Sequence, residues 1–484
     1  MTAPDMQWQR LSPRMLLVHP VHEVLRQVPV LIGSVVVGSA TGNPLWAVAA
    51  LVATVALGVA RWFTTTYRID AEEVQLRAGV LQRRVLSLPR NRIRSVSTEA
   101  RLLHRMLGLT VVRVSTGQAA QGDTAFALDA VPAEQVPRLR AELLSGMPNA
   151  VAEQAARGRV LARWQPAWLR YSPLSFTGLA MIVAAAGLLY QAGAGALLRN
   201  SELSSGGREV AERFGVTAVL AVTALGVLIA SVVLSVLRSL LTYGNLLLAR
   251  DADVLHLEYG LLRRQEHTYD MRRLRGGTLR EPLLVRAFGG ARLDAVMTGV
   301  GGAGEASLLL PPCPAPTVRA VLRDLIGRDA EVSGPLRTHG PAAARRRWTR
   351  ALAVPAVAAV ALVVASVMAA APVWLWAVWV VLTVCCALLA ADRVRSLGHR
   401  AGDGWLVAGA GSLERRRDCI AGPGIIGWTV RQTFFQRRAG VATLIAATAA
   451  GTKAYRVIDV PADVAWSVAA AASPWVAELP WARR

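Results

Sequence analysis

Lysine is almost missing from this chain. Of 54 basic residues only Lys453 is a lysine. With so much Ala, Val and Arg, that scarcity reads as a codon bias rather than as function. Cysteine is scarce too. Cys385 and Cys386 sit within an apolar run, and Cys313 and Cys419 stand alone, so neither a disulfide framework nor a zinc site is suggested. No G-x-S-x-G, H-E-x-x-H or P-loop is present, and no pair of carboxylates recurs at matching places. His19 and His22 are three apart beside Glu23, but Pro20 interrupts any helix that would aim both at one metal. Gly299–Gly304 has the form G-x-G-x-x-G, yet a strand-like run ending in prolines follows where a dinucleotide site needs a helix. We therefore expect no catalytic residue, no metal, no cofactor and no enzymatic activity.

Charge is missing in blocks, and this decides the class. The chain is 484 residues long with a formal charge of +22, yet residues 27–60, 171–198, 214–237 and 351–391 hold no charged residue. A spanning helix needs about 20 mostly apolar residues. The last stretch contains "AAAP" at its middle and reads as two spans. The first contains "SATGNP" and reads as two short spans or a re-entrant hairpin. The other two are single spans, which gives six helices in three pairs. The apolar run after Arg26 lacks the pattern of a cleavable signal peptide. Ionisable groups, the usual markers of ion and proton pathways, are absent from the spans. Small residues such as those of Val183–Leu189 suit close helix packing instead.

Arginine outnumbers the acids in each large segment between spans. Residues 61–172 hold 17 Arg against 9 acids, residues 238–350 hold 18 against 11, and residues 392–484 hold 13 basic residues against 7. The positive-inside rule places these segments and both termini in the cytoplasm of a multipass cell-membrane protein.

An internal repeat organises the chain. Gly79–Gly108, Gly260–Gly289 and Gly411–Gly440 align without gaps. Arg83, Arg264 and Arg415 coincide, as do Ile93, Leu274 and Ile425. Arg105, Arg286 and Arg437 each precede a closing glycine in R-x-x-G. Each copy ends on an apolar run, a proline and a helix pattern, from Val131, Pro314 and Val460. Strand runs at Leu109–Gly117 and Phe126–Val131 fill the first copy. Gly440–Gly451 is apolar throughout, and the repeat register makes it a strand. The six glycines Gly79, Gly108, Gly260, Gly289, Gly411 and Gly440 are expected to be structural, as are Arg105, Arg286 and Arg437.

The run "YRID…V.LR.GVLQRR…LP.NRI.SV…LLHRMLGL" from Tyr67 to Leu109, with "LVHPVHEVLR" and "YSPLSFTGL" before spans one and three, resembles the bacterial pleckstrin-homology-like, YdbS/YdbT-like, multipass membrane proteins. The third copy departs from that pattern, with Gly424 and Ile426 where the first has Arg92 and Arg94. The resemblance implies membrane helices in three pairs, each pair followed by a pleckstrin-homology-like (PH-like) β-barrel with a C-terminal helix. It also implies a role in the cell envelope or in resistance to membrane-active agents, and a companion protein with one copy of the unit. The expected organisation is a cytoplasmic segment 1–26, transmembrane pair 27–63, PH-like domain 64–147 and linker 148–172. Then follow transmembrane pair 173–242, PH-like domain 243–328, basic linker 329–350, transmembrane pair 351–391, a divergent PH-like domain 392–473 and the tail 474–484.

The remaining signal is basic. Arg83, Arg84, Arg92, Arg94, Arg263, Arg264, Arg272, Arg273 and Arg275 are candidates for contact with an anionic phospholipid surface or a membrane-protein partner, and Arg415, Arg416 and Arg417 form a further cluster. Each arginine near anionic lipid contributes roughly 1 kcal/mol. No aromatic stacking platform accompanies them, which argues against nucleic acid. The expected function is interaction with lipid and protein; a membrane conduit or lipid-handling transporter regulated by its cytoplasmic domains is the alternative.

Overall fold

The computed structural model describes residues 8–10, 12–14, 63–70, 72–79, 83–89, 95–100, 102–115, 126–143, 158–175, 216–298, 308–369 and 372–476, with isolated positions 56, 60, 180 and 478. Two compact units are present. One comprises Met1–Arg163 with Leu241–Arg273, the other Trp164–Leu240 with Leu274–Arg484. The division falls inside the second copy, not between copies.

In the first unit β1 (Gln9–Arg10), β2 (Thr66–Ile69), β3 (Glu73–Ala78) and β4 (Arg84–Pro89) form an antiparallel sheet in sequence order. β5 (Ser95–Ala100), β6 (Leu109–Ser115), β7 (Phe126–Pro132), β8 (Arg159–Arg163), β9 (Leu247–Asp251), β10 (Val254–Tyr259) and β11 (Arg264–Asp270) form a second, in the order β7-β6-β5-β11-β10-β9-β8. Alternation along β10 follows the period of two: Leu255, Leu257 and Tyr259 are buried, while His256 and Glu258 are less so. One core joins the sheets, built by Tyr67, Val74 and Leu88 from the first, Val96, Leu109, Val112, Val114 and Leu128 from the second, and Leu139 from the closing helix Val136–Leu143.

In the second unit β12 (Leu274–Pro282), β13 (Gly290–Met297), β14 (Leu308–Pro314), β15 (Gly398–Gly402), β16 (Trp405–Ala410) and β17 (Glu414–Ala421) make a sheet in the order β14-β13-β12-β17-β16-β15. β18 (Ile425–Arg431), β19 (Val441–Thr448) and β20 (Ala454–Pro461) make a smaller one. β19 is the strand that the register required of the apolar run. Leu406 and Ile420 from one sheet pack with Leu444, Val457 and Val460 from the other, under the helix Ala465–Ala472.

The expected barrel does not close within any copy among the described residues. In the first and third copies two half-sheets pack over one core, and the edge strand of the second half-sheet in the first and second copies pairs with the copy that follows. β5 pairs antiparallel with β11, from Ser95 opposite Tyr269 to Ala100 opposite Arg264. β12 pairs with β17, from Gly276 opposite Ile420 to Glu281 opposite Arg415. Counted from the opening glycine of each copy, these are the same positions. Hydrogen bonding that could have closed a barrel instead continues the sheet.

The recurrent glycines have a common job. Gly79, Gly260 and Gly411 have φ of +127°, +102° and +104°. A side chain at Gly260 or Gly411 would collide with the carbonyl of Arg263 or Glu414. Gly108, Gly289 and Gly440 sit at +66°, +74° and +67°, the left-handed conformation that ends a helix. They follow the short helices Leu102–Met106, Leu283–Ala287 and Phe434–Arg438. Their carbonyls accept from the N–H of Ala133, Ala315 and Ala462, just where each closing helix starts.

Three described helices are long and apolar enough to cross a membrane: Leu225–Tyr243, Gly340–Met368 and Val373–Ser396. Their Val and Leu side chains, among them Val233, Val360, Val367 and Val381, are largely exposed, which suits lipid rather than water. Trp379 Nε1 donates to the carbonyl of Pro355 at 2.9 Å and ties the last two together. The pair expected over 27–63 and the span expected within 173–198 lie outside the described residues.

Candidate functional site

The apolar helix Val373–Ser396 ends in Arg395 and Ser396, and Leu397 follows in extended conformation. These residues form one wall of a cleft of about 380 Å³ in the second unit. β17 supplies Arg415, Arg416 and Arg417, and β12 supplies Glu281. Arg319 comes from the helix Ala315–Ile326, and the segment after the helix Asp329–Ser333 completes the wall. Glu281 is the sole acid among the lining residues.

Partners within the protein hold most of these guanidinium groups. Arg319 Nη2 meets Glu281 at 2.9 Å, Arg415 Nη2 meets Asp392 at 2.5 Å, and Arg416 Nε lies 3.5 Å from Asp418. Among the described residues Arg417 meets no carboxylate. It donates to the carbonyls of Glu331 at 2.9 Å and Gly334 at 2.7 Å. Burial, with Arg319 and Arg400 nearby, lowers the pKa of Arg417. Arg395 is exposed. The cleft thus holds more cationic than anionic charge, arranged to accept an anion with several oxygens.

A second polar cluster fixes the helix Gly340–Ala369 to the third copy. Asp459 is fully buried at a left-handed φ of +57°. Arg346 Nε is 3.2 Å and Arg347 Nη2 is 2.9 Å from it, and Gln436 Nε2 donates to it at 2.7 Å. Beside it His339 and His399 share a 2.9 Å hydrogen bond, and the other ring nitrogen of His339 lies 2.8 Å from the carbonyl of Ile458. Burial lowers the pKa of both histidines, His399 to about 4, where neighbouring His339 adds to the effect. This cluster is structural.

The arginines expected at a lipid face are largely engaged elsewhere. Arg263 binds buried Glu99 through Nε at 2.6 Å, and Arg113 meets the same carboxylate at 2.8 Å. Arg264 meets Glu258 at 2.6 Å. Arg272 and Arg273 meet Asp270 at 3.2 and 3.6 Å. Arg275 packs its aliphatic stem over Gly424, so the glycine that departs from the first-copy pattern makes room for that stem. Arg83 is exposed and Arg84 begins β4; Arg92 and Arg94 lie outside the described residues, as do His19 and His22. Gly299–Gly304 is outside them too.

Arg105 and Arg286 both reach into the following copy. Arg105 Nη1 donates to the carbonyl of Leu261 at 2.9 Å, and Arg286 Nη2 meets Asp392 at 3.0 Å. Arg437, at the corresponding place in the third copy, is exposed. Sequence reasoning missed Arg319 and Arg395. Arg395 carried a usable signal, a basic residue at the foot of an uncharged run, whereas Arg319 joins the site only through the fold.

Among the described residues no group of His, Cys, Asp and Glu is placed to hold a metal ion. No curated protein and no solved structure matches the chain. A family model described as the bacterial PH domain matches residues 24–147 and 206–328, half of the chain in two copies. With half of its length matched in two copies, this chain belongs to the bacterial PH domain family.

Proposed function

We propose that this is a non-enzymatic multipass protein of the cell membrane whose PH-like domains lie on the cytoplasmic side and engage the headgroups of anionic phospholipids. The observation that carries this reading is the arginine-lined cleft at the foot of Val373–Ser396. A cleft built on the last turn of a spanning helix sits at headgroup depth, where the surface potential of anionic lipid acts. Arg395 and Arg319 both line it, and both keep exposed area for a ligand. The positive-inside bias of the segments supports the orientation.

The test uses the full chain in nanodiscs with mixed phosphatidylglycerol and phosphatidylcholine. Arg319→Ala with Arg395→Ala should lower retention of phosphatidylglycerol, by about fivefold for each arginine if each contributes roughly 1 kcal/mol. Arg272→Ala, outside the cleft, should leave it unchanged. Equal retention by all three proteins would remove the cleft from the account.

A further inference from the structure

β4 and β18 are sheet edges of an unusual kind. Among the described strands β4 has only β3 beside it and β18 only β19. Their counterparts elsewhere are not edges. The counterparts of β4 are β11 and β17, and those of β18 are β5 and β12. These counterparts pair with each other twice, in one register. The chain therefore repeats a joint twice and carries one unused half of that joint at each of β4 and β18.

We infer that β18 of one chain pairs antiparallel with β4 of a second copy, extending the sheet across the two molecules. The register follows from the two internal joints: Gly427 falls opposite Leu88, Thr429 opposite Leu86 and Arg431 opposite Arg84. Arg431 then faces Arg84 as Arg280 already faces Arg416. Exposure at both edges agrees. Val85 on β4 is 55% exposed, while its counterparts Glu266 and Arg417 are half-buried in their joints. Ile426 is 70% and Phe434 72% exposed on the β18 side. The counterpart of Phe434, Leu283, donates its N–H to Leu413 of the next copy at 2.7 Å. Arg437 supplies the third of a series whose other members, Arg105 and Arg286, cross the joint. Edge strands of this kind recruit a strand through main-chain hydrogen bonds. Because the two surfaces differ, the contact is head-to-tail and can propagate into a ring or a row in the membrane.

The test is oxidative crosslinking of the full chain in native membranes. Cys385 and Cys386 are first replaced by alanine. Leu86→Cys and Thr429→Cys are then placed on two differently tagged, co-expressed chains. Directly opposed strand residues lie at disulfide distance, so a mixed-tag disulfide should form. Trp428→Cys, one residue out of register, should crosslink to Leu86→Cys several-fold less. With both cysteines on one chain, dimers and longer ladders are expected. A disulfide-bonded monomer would mean that the chain closes on itself, and an absence of any mixed product would mean that the edges do not meet; either result overturns the proposal. As an independent measurement, Thr429→Pro should lower the oligomer mass of the detergent-extracted protein without altering lipid retention at the cleft. An unchanged mass would count equally against the joint.

Discussion

The two internal joints solve one problem with opposite charges. In the first unit buried Glu99 on β5 takes Arg263 from just before β11. In the second, the corresponding residue of β12 is Arg280, and it meets Glu414 at 3.2 Å. Acid and base have changed sides while the backbone register has not moved. The difference teaches that the register is a property of the half-sheets, their alternation and their glycine turns, and that charge pairs are fitted to it afterwards. A one-residue slip would turn every buried side chain of a half-sheet outward, whereas swapping a pair costs little if both partners change.

The sharpest asymmetry between the joints lies one pleat away. Asp418 on β17 is buried and accepts from Thr278 Oγ1 at 2.9 Å. Its counterpart on β11 is His267, which is half-buried beside Tyr259 and Tyr269. Asp418→Ala should lower unfolding stability by about 2–4 kcal/mol, since it strands a buried hydroxyl and Arg416. His267→Ala should cost less than half as much. Denaturant unfolding of the full chain in nanodiscs measures both, and equal losses would erase the contrast.

Charge exchange comes next. Glu99→Arg and Arg263→Glu should each destabilise the first joint, and the double variant should recover about 1–2 kcal/mol of the summed loss as coupling energy. No coupling would mean that Glu99 is held mainly by Arg113.

Acid should separate the two units. His339 and His399 are buried neutral in the second unit, with His399 held near pH 4. An unfolded imidazole titrates near 6.5, so the unfolded chain binds more protons between these values. The contribution of the pair is complete above about pH 6.5 and is lost as pH falls toward 4. Hydrogen exchange of β15 and β20 should accelerate over that window, while β5 and β11 should not follow. The smallest effect belongs to Arg264, which is 57% exposed against Glu258. Arg264→Ala should change stability by less than about 0.5 kcal/mol.

Much of this architecture was legible from spacing. The glycine frame predicted the positive φ of Gly79, Gly260 and Gly411, and it made β19 a strand despite a composition, Val-Ala-Thr-Leu-Ile-Ala-Ala, that suits a helix equally. The apolar runs predicted the helices Val216–Tyr243, Gly340–Ala369 and Val373–Ser396. Partner choice at the strand edges was not legible. Periodicity tells which face of β5 is buried, but its two possible neighbours, β4 and β11, are repeats of one another and carry the same pattern. Nor could the arginine clusters be sorted by eye, because Glu99 and Arg263 are far apart in sequence and only the joint brings them together. The cleft needed the fold for the same reason, since Arg319, Arg395 and Arg417 come from a closing helix, a long apolar helix and a strand.

The central claim is that consecutive copies share sheets. Ser97→Cys with His267→Cys in one chain, free of Cys385 and Cys386, tests it most directly, since these residues are opposed in the β5–β11 pair. The account predicts rapid disulfide formation within the monomer, and none within the monomer for Ser97→Cys with Leu86→Cys. The reverse outcome, β5 locked to β4 and not to β11, would show closed barrels in single copies and contradict it.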